Sequence, residues 1–352
     1  MTGIDDAFTY SYSSARVKAM ESMLIDNATM QHIIDAPDIH SALSLLFQTN
    51  YKDSLTKYGG MEIKKDLLDF ALSRNLAESV NRLVNIAPTT QRKIVRALIG
   101  KWDLYNVRLA IEAKEHGKPF ESISMYVTDN IVYNQATIRE AMRESTVEGV
   151  LSRLMINSPY AQILKDASAA YSRGRSIADA ITAMDIGYYD SLSGIMYQLN
   201  NAHYQSALIV KMEIDMKNLL TLIRSKRLGL KFQFIDRYLI SNGTLDKKSL
   251  EQLFNSSSSL EDMVQRVTAF SLKDSLEVYG RTRQLLAFEI GMNNHILNQG
   301  LKILKPAILS FGTILAYIYL KELEVYTIRI AINSKAFGLD PEEVSMLIAW
   351  KK

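Results

Sequence analysis

One polar pattern occurs three times along the 352-residue chain, at nearly equal intervals. In each copy an acidic residue is followed by Asn or Thr three positions later, by Lys eleven positions later and by Gly fourteen positions later. The acidic residues are Asp103, Asp215 and Glu324, so the copies are separated by 112 and 109 residues. Three such coincidences are hard to obtain by chance, and the pattern predicts three diverged copies of one structural unit.

Each copy has the spacing of an α-helix with one polar edge. Positions 0, 3, 7 and 11 fall on one narrow stripe of a helix, and the other faces of these segments are mostly apolar. An acid at the start of the stripe and a Lys at its end both suit the helix dipole, and Gly117, Gly229 and Gly338 are suited to end the helices. The polar edges are Asp103, Asn106 and Lys114; Asp215, Asn218 and Lys226; and Glu324, Thr327 and Lys335.

Two interpretations of these edges remain open from the residues alone. The edges are either the solvated sides of three core helices, or they converge and line a shared surface that binds a partner. The second interpretation predicts that reversing the three acidic charges together weakens partner binding more than it lowers stability. It makes partner-contact candidates of the leading residues of each edge, which are Asp103, Asn106, Asp215, Asn218, Glu324 and Thr327.

Helical periodicity dominates the rest of the chain, and no convincing run of alternating strand residues is present. Only six Pro and sixteen Gly interrupt it, so we expect an all-α fold. The threefold repeat divides this fold into three similar helical domains, which we expect to cover residues 1–118, 119–231 and 232–352. Asp38 and the Ser run at 255–259 read as helix starts. Apolar residues at steps of three and four predict helix across 130–154.

The composition argues against several classes of function. The net charge of +3 is close to balance, which argues against a dedicated nucleic-acid binder, and the absence of Cys excludes disulfides and Cys-ligated metals. The five His are scattered, and no Gly-rich phosphate-binding loop is present. We therefore expect no catalytic site, no metal site and no cofactor. The apolar stretch at 306–320 is too short for a membrane crossing and favours a buried core helix over a membrane-inserting segment.

The chain resembles the C subunit of archaeal and bacterial A/V-type ATP synthases, the counterpart of the d subunit of the eukaryotic vacuolar ATPase. The resemblance is carried by Tyr10 and Tyr12 near the N-terminus, by Asp103-x-Tyr105-Asn106 on a helix that ends in Lys, and by the C-terminal segment 317–339. It covers essentially the whole chain, including the length and the threefold repetition.

The resemblance implies a mechanical role. Three helical domains would form a pseudo-three-fold funnel on the cytoplasmic face of the cell membrane, peripheral to it. The funnel would sit on the membrane proteolipid ring, receive the central shaft subunits and transmit torque for proton or sodium transport, without a catalytic site of its own. The alternative is a helical-repeat adaptor that binds an unrelated protein partner through a solenoid groove.

A basic cluster adds three further candidates for partner contact: Arg224, Lys226 and Arg227. It is either the solvated C-terminal end of a helix or a contact with acidic shaft residues or lipid headgroups.

Overall fold

The computed structural model describes residues 3–58, 65–89, 91–197, 204–304 and 309–337. These ranges contain seventeen α-helices, two single-turn 3-10 helices at 120–122 and 236–238, and no strand. The predicted all-α class is confirmed.

The helices follow one order three times: three shorter helices and then two long ones. Two helices stand outside this order, α1 (Gly3–Glu21) at the N-terminus and the four-residue α12 (Phe232–Ile235). The first group is α2 (Asn27–Asp35), α3 (Ile39–Leu46), α4 (Lys52–Tyr58), α5 (Lys65–Ile86) and α6 (Arg92–Glu115). The second group is α7 (Gln135–Ala141), α8 (Val147–Met155), α9 (Ala161–Gly174), α10 (Ile177–Tyr197) and α11 (Tyr204–Arg227). The third group is α13 (Lys247–Ser256), α14 (Leu260–Gln265), α15 (Lys273–Thr282), α16 (Leu286–Leu304) and α17 (Phe311–Phe337). The domain boundaries at 118 and 231 stay a prediction.

Local capping chemistry starts the first two short helices of each group. The side chain of the residue before each helix accepts a hydrogen bond from a backbone N–H in the first turn, which satisfies a donor that the helix itself cannot pair. Asp38 acts in this way for α3 and Ser259 for α14, as the sequence predicts. The other four caps are Asp26, Asn134, Thr146 and Asp246.

Gly117 and Gly229 end α6 and α11 as predicted. Both have positive φ, 62° and 68°, a region that is accessible to Gly at little cost. In both places the N–H of the Gly and the N–H of the next residue donate to carbonyls in the last turn of the helix, with the same spacing. Gly338 lies outside the described residues. The prediction of helix across 130–154 is only partly right, because the segment forms two helices separated by the Thr146 cap.

Residues 53–195 form one compact unit. Its core lies where α5 packs on α6, where α6 packs on α7 and α8, and where α8 packs on α9. Tyr188 on α10 donates from its hydroxyl to the Leu98 carbonyl at 3.0 Å, and so ties α10 to α6. The side chains with no exposed surface include Leu72, Val80, Val95, Val107, Ile111, Ile138, Val150 and Leu164.

Residues 1–52 and 196–352 form the second compact unit, so both ends of the chain contribute to it. The helix α17 packs against α16 on one side and against α1, α2 and α3 on others. Every residue from 311 to 321 is buried, as expected of a helix that is apolar all round. The core-helix prediction for 306–320 is therefore confirmed from residue 311 onward. Among the described residues, no helix has the length and apolarity that a membrane crossing requires.

Candidate functional site

The polar edges of the three sequence copies lie on α6, α11 and α17, the second long helix of each group. They are not solvated, because the leading residues of each edge are between 0 and 2 % exposed. A buried carboxylate or amide is stable only when its polar atoms are hydrogen-bonded, so the partners of these groups define the site. We call each edge together with its partners a joint.

In joint 1 the carboxylate of Asp103 on α6 binds the backbone just before α7. Its Oδ1 accepts hydrogen bonds from both the Val132 N–H, at 3.1 Å, and the Tyr133 N–H, at 2.9 Å. Its Oδ2 accepts a bond from the Tyr160 hydroxyl at 3.1 Å. Burial raises the pKa of Asp103 above its usual value, and the hydrogen bonds from Tyr133, Val132 and Tyr160 oppose that rise. Burial likewise raises the pKa of Tyr133, to about 12.

Asn106, one turn further along α6, holds the same segment from its other end. Its Nδ2 donates to the carbonyls of Thr128 and Tyr133, each at 2.7 Å. Its Oδ1 accepts from the Thr128 N–H at 3.2 Å. Asn is suited to this place because its amide both donates and accepts, as a backbone group does.

Joint 2 repeats the arrangement on α11. The Oδ2 of Asp215 accepts from the Thr244 N–H at 3.1 Å and its Oδ1 from the Leu245 N–H at 3.0 Å, while the Thr244 hydroxyl also donates to Oδ2. Asn218 pairs with the backbone of Ile240 in both directions, at 2.8 Å each. Burial is again the main cause that raises the pKa of Asp215.

Joint 3, on α17, contains a buried ion pair. The Oε2 of Glu324 accepts from the Ile25 N–H at 2.5 Å, and its Oε1 accepts from the Tyr51 hydroxyl and from Lys321 Nζ, each at 2.6 Å. Lys321 Nζ also donates to the Tyr51 hydroxyl at 2.9 Å. Burial lowers the pKa of Lys321, and the adjacent Glu324 opposes that shift. Thr327, the last leading residue of the edge, is also buried.

The Lys of each edge binds the C-terminal end of the first short helix of a group. Lys114 Nζ donates to the Met142 carbonyl at 2.8 Å. Lys226 Nζ donates to two carbonyls, those of Phe254 and Ser257, each at 2.7 Å. Lys335 Nζ donates to the Ile34 carbonyl at 2.6 Å. Carbonyls at a helix end have no partner within the helix and carry its negative dipole end, so an ammonium group is a favourable cap.

The three joints have the same register. The residue whose N–H binds the acid is 30 positions after Asp103 (Tyr133) and 30 positions after Asp215 (Leu245). For Glu324 it is Ile25, 299 positions earlier in the chain. These three positions are separated by 108 and 112 residues, and each directly precedes an N-cap residue. The helix α17 thus binds α2 as α6 binds α7 and as α11 binds α13.

The remaining candidates from the sequence divide into two kinds. Lys226 donates its hydrogen bonds within joint 2. Arg224 and Arg227 are exposed, with Arg224 paired to Glu289 at 3.1 Å and Arg227 donating to the Arg283 carbonyl at 3.2 Å. Partner contact stays a prediction for all nine candidates, but only these two present their charge to solvent. The sequence reasoning did not single out Tyr51, Tyr160 or Lys321 as parts of the site. The recurring caps Asp26, Asn134 and Asp246 are the signal in the sequence that points to the segments the joints bind.

The described residues contain no group of three or more His, Asp or Glu side chains placed to hold a metal ion. In all three joints both oxygens of the carboxylate accept hydrogen bonds from groups of the same chain. A repeated helical fold whose buried polar side chains link one five-helix group to another is that of a structural scaffold.

Comparison with known proteins identifies which scaffold. Residues 13–346 match the family model described as ATP synthase (C/AC39) subunit. The C subunit of the A-type ATP synthase of Methanocaldococcus jannaschii is 25% identical over 353 residues, which cover 97% of this chain and 87% of the relative. The protein of the same name from Thermococcus onnurineus is 25% identical, covering 96% and 90%. That from Thermoplasma volcanium is 22% identical, covering 96% and 97%. The chain belongs to the ATP synthase (C/AC39) subunit family, and it is a structural, non-catalytic ATP synthase subunit, which confirms the resemblance seen in the sequence.

Proposed function

We propose that the chain is the central-stalk subunit of an A/V-type rotary ATP synthase or ATPase. It is the socket that couples the central shaft subunits to the membrane proteolipid ring, and so serves proton or sodium transport. It lies on the cytoplasmic face of the cell membrane, peripheral to the bilayer. Its three similar helical domains, 1–118, 119–231 and 232–352, form a pseudo-three-fold funnel that receives the shaft.

The observation that supports this proposal is the equivalence of joint 3 to joints 1 and 2. In a linear helical solenoid each repeat contacts only its neighbours in sequence, and the first and last repeats have capped outer faces. Here the acid of the last copy accepts the N–H of Ile25 in the register in which Asp103 and Asp215 accept theirs. A chain with three equivalent links between three copies suits a closed ring better than the groove of an adaptor.

The chemistry of the joints also suits a part that transmits torque. A carboxylate that accepts two or three hydrogen bonds at fixed positions holds the bound segment in one geometry, and charge-assisted bonds of this kind are stronger than neutral ones. Interiors packed at crystal density have low compressibility and so transmit strain. Within each compact unit, a load applied to α6, α11 or α17 therefore passes to the short helix it binds through both the core and the joint.

The test is capture of partners from native membranes. The chain, with an affinity tag, is added to membranes solubilised in detergent, and the bound proteins are identified by mass spectrometry. The proposal expects shaft subunits and proteolipid to be recovered together, and no ATP hydrolysis by the isolated chain. Recovery of a single unrelated protein would instead support the adaptor. Small-angle scattering of the isolated chain provides a second measurement: a tapered closed body is expected, and an elongated superhelix would contradict the socket.

A further inference from the structure

The turn that follows α11 exposes three large apolar side chains within seven residues. Leu228 is 72 %, Leu230 43 % and Phe234 58 % exposed, while Phe232 and Ile235 between and after them are buried. Single exposed apolar residues are normal on a protein surface, but a cluster of them marks an interaction site. We call residues 224–237 the α11–α12 turn.

Cations surround these apolar side chains. Arg224, Arg227, Lys231 and Arg237 in the α11–α12 turn are all exposed. Arg227 and Lys231 form no ion pair with any residue that the structure describes. Two carboxylates belong to the same region: Glu289 faces Arg224, and Asp236 is paired with Lys247 at 2.5 Å. The surface therefore keeps a positive excess.

The first repeat provides an internal comparison for the turn. Gly117 corresponds to Gly229, and both turns have a similar positive φ and the same pattern of backbone hydrogen bonds. The buried positions correspond in chemistry, with Phe120 and Ile123 in place of Phe232 and Ile235. The exposed positions do not: Leu228, Leu230 and Phe234 correspond to His116, Lys118 and Ser122, which are exposed as well. The fold of the turn does not need apolar residues there.

We propose that the α11–α12 turn binds the surface of an anionic lipid bilayer. Exposed Leu and Phe side chains on a turn can enter the boundary between headgroups and acyl chains, while Arg and Lys remain at the level of the phosphates. A protein partner can also bury apolar side chains beside cations, and the capture in detergent described below distinguishes it from a bilayer. The inference rests on the proposed function for the presence of a membrane beside the chain, and it adds a direct lipid contact to that of the ring.

The test measures sedimentation of the full chain with vesicles of phosphatidylcholine containing one third phosphatidylglycerol, beside vesicles of phosphatidylcholine alone. Replacing the three apolar residues by their first-repeat counterparts (L228H, L230K and F234S together) is expected to lower binding by about tenfold or more, since each buried side chain contributes to partition. This variant has an added positive charge, so lost binding cannot be ascribed to weaker electrostatics. The double variant R227Q/K231Q is expected to lose about fivefold per charge and to bind with less dependence on salt.

The control variant is I156S, which removes an exposed apolar side chain outside the α11–α12 turn and should bind vesicles as the unaltered chain does. Circular dichroism verifies that each variant is folded. Equal binding to neutral and anionic vesicles, no binding by the unaltered chain, or unchanged binding by the triple variant would each overturn the proposal. If the triple variant binds vesicles normally but no longer captures the complex in detergent, the surface belongs to a protein instead. Failure of the vesicle assay leaves the detergent capture test of the socket unaffected.

Discussion

The same substitution, acid to amide, should have three different effects at the three equivalent joint positions. The change is D103N, D215N or E324Q, each of which keeps the shape of the side chain but removes its charge and turns one acceptor oxygen into a donor. Sequence position and helix register are equivalent in the three cases. What differs is the distribution of hydrogen-bond donors around each carboxylate and, at Glu324, the longer side chain and its ion pair with Lys321.

At Asp103 both backbone donors bind Oδ1, at 3.1 and 2.9 Å. An Asn can keep both bonds with its carbonyl oxygen and direct its NH₂ group at the Tyr160 hydroxyl, which can accept as well as donate. Because burial already disfavours the charge of Asp103, the loss should be about 1 kcal/mol or less. The joint should therefore remain closed in D103N.

At Asp215 the two backbone donors bind different oxygens, Thr244 at Oδ2 and Leu245 at Oδ1. Either orientation of an Asn amide places its NH₂ group against one backbone N–H, which then has no acceptor. An unsatisfied buried donor costs about 1–3 kcal/mol, and the facing donors repel, so the expected loss is about 2–4 kcal/mol.

At Glu324 the amide leaves the ammonium group of Lys321 buried without its carboxylate. Removing one partner of a buried ion pair typically costs about 3–5 kcal/mol. Adding K321M to E324Q removes the stranded charge and should recover most of the loss, since replacing both members of such a pair by neutral groups is often close to neutral.

Hydrogen exchange followed by mass spectrometry is the suitable assay, because it reports the opening of each joint separately and needs no two-state unfolding. Peptides containing Tyr133, Leu245 and Ile25 report on joints 1, 2 and 3. We expect exchange at Tyr133 to rise by about fivefold or less in D103N, and exchange at Leu245 to rise by about thirtyfold or more in D215N. Equal effects, or a larger effect in D103N, would refute the reasoning from donor geometry.

Three other predictions concern individual positions. A methyl group added in G243A would overlap the Asp215 carboxylate, so local protection in joint 2 should fall by about 1–3 kcal/mol. G194A, which has open space around the added methyl group, should be neutral or stabilising in thermal unfolding. K226M leaves two helix-end carbonyls without their donor and should cost about 1–3 kcal/mol by denaturant titration, while exposed R227A should stay within about 0.5 kcal/mol, and equal losses would contradict the joint. Burial raises the pKa of Asp103 above its value of 3.8 in the unfolded chain, so unfolding releases a proton at any pH between 3.8 and the raised pKa. The free energy of unfolding, compared with that of D103N, should therefore rise as the pH falls from the raised pKa to 3.8 and level off below 3.8.

The burial of the three acids also changes what charge reversal is expected to do. A solvated or partner-facing edge would let reversal weaken binding more than stability. With Asp103, Asp215 and Glu324 each accepting backbone N–H groups in the interior, reversal places a cation against donors, and loss of stability is expected first. Arg224 and Arg227 remain the exposed candidates for contact.

The sequence by itself determined the features that depend on neighbouring residues. The helical periodicity, the stop at Gly117 and Gly229, the caps at Asp38 and Ser259 and the threefold recurrence of the acidic edge are all local. Each of them follows from hydrogen bonds or sterics within one or two helical turns. The resemblance to the family rested on Tyr10 and Tyr12, on the Asp103 helix and on the segment 317–339, and it included the threefold recurrence.

The tertiary structure alone decided what the polar edges do. A solvated stripe and a buried stripe have the same spacing on a helix, so the periodicity of the edge cannot distinguish them. The difference lies in backbone partners, which are 22 to 30 residues later for the leading residues on α6 and α11 and 299 residues earlier for Glu324. A buried carboxylate is stable only where N–H or O–H groups donate hydrogen bonds to it. Here those donors are far away in the sequence, and the packing of the whole unit brings them to the carboxylate.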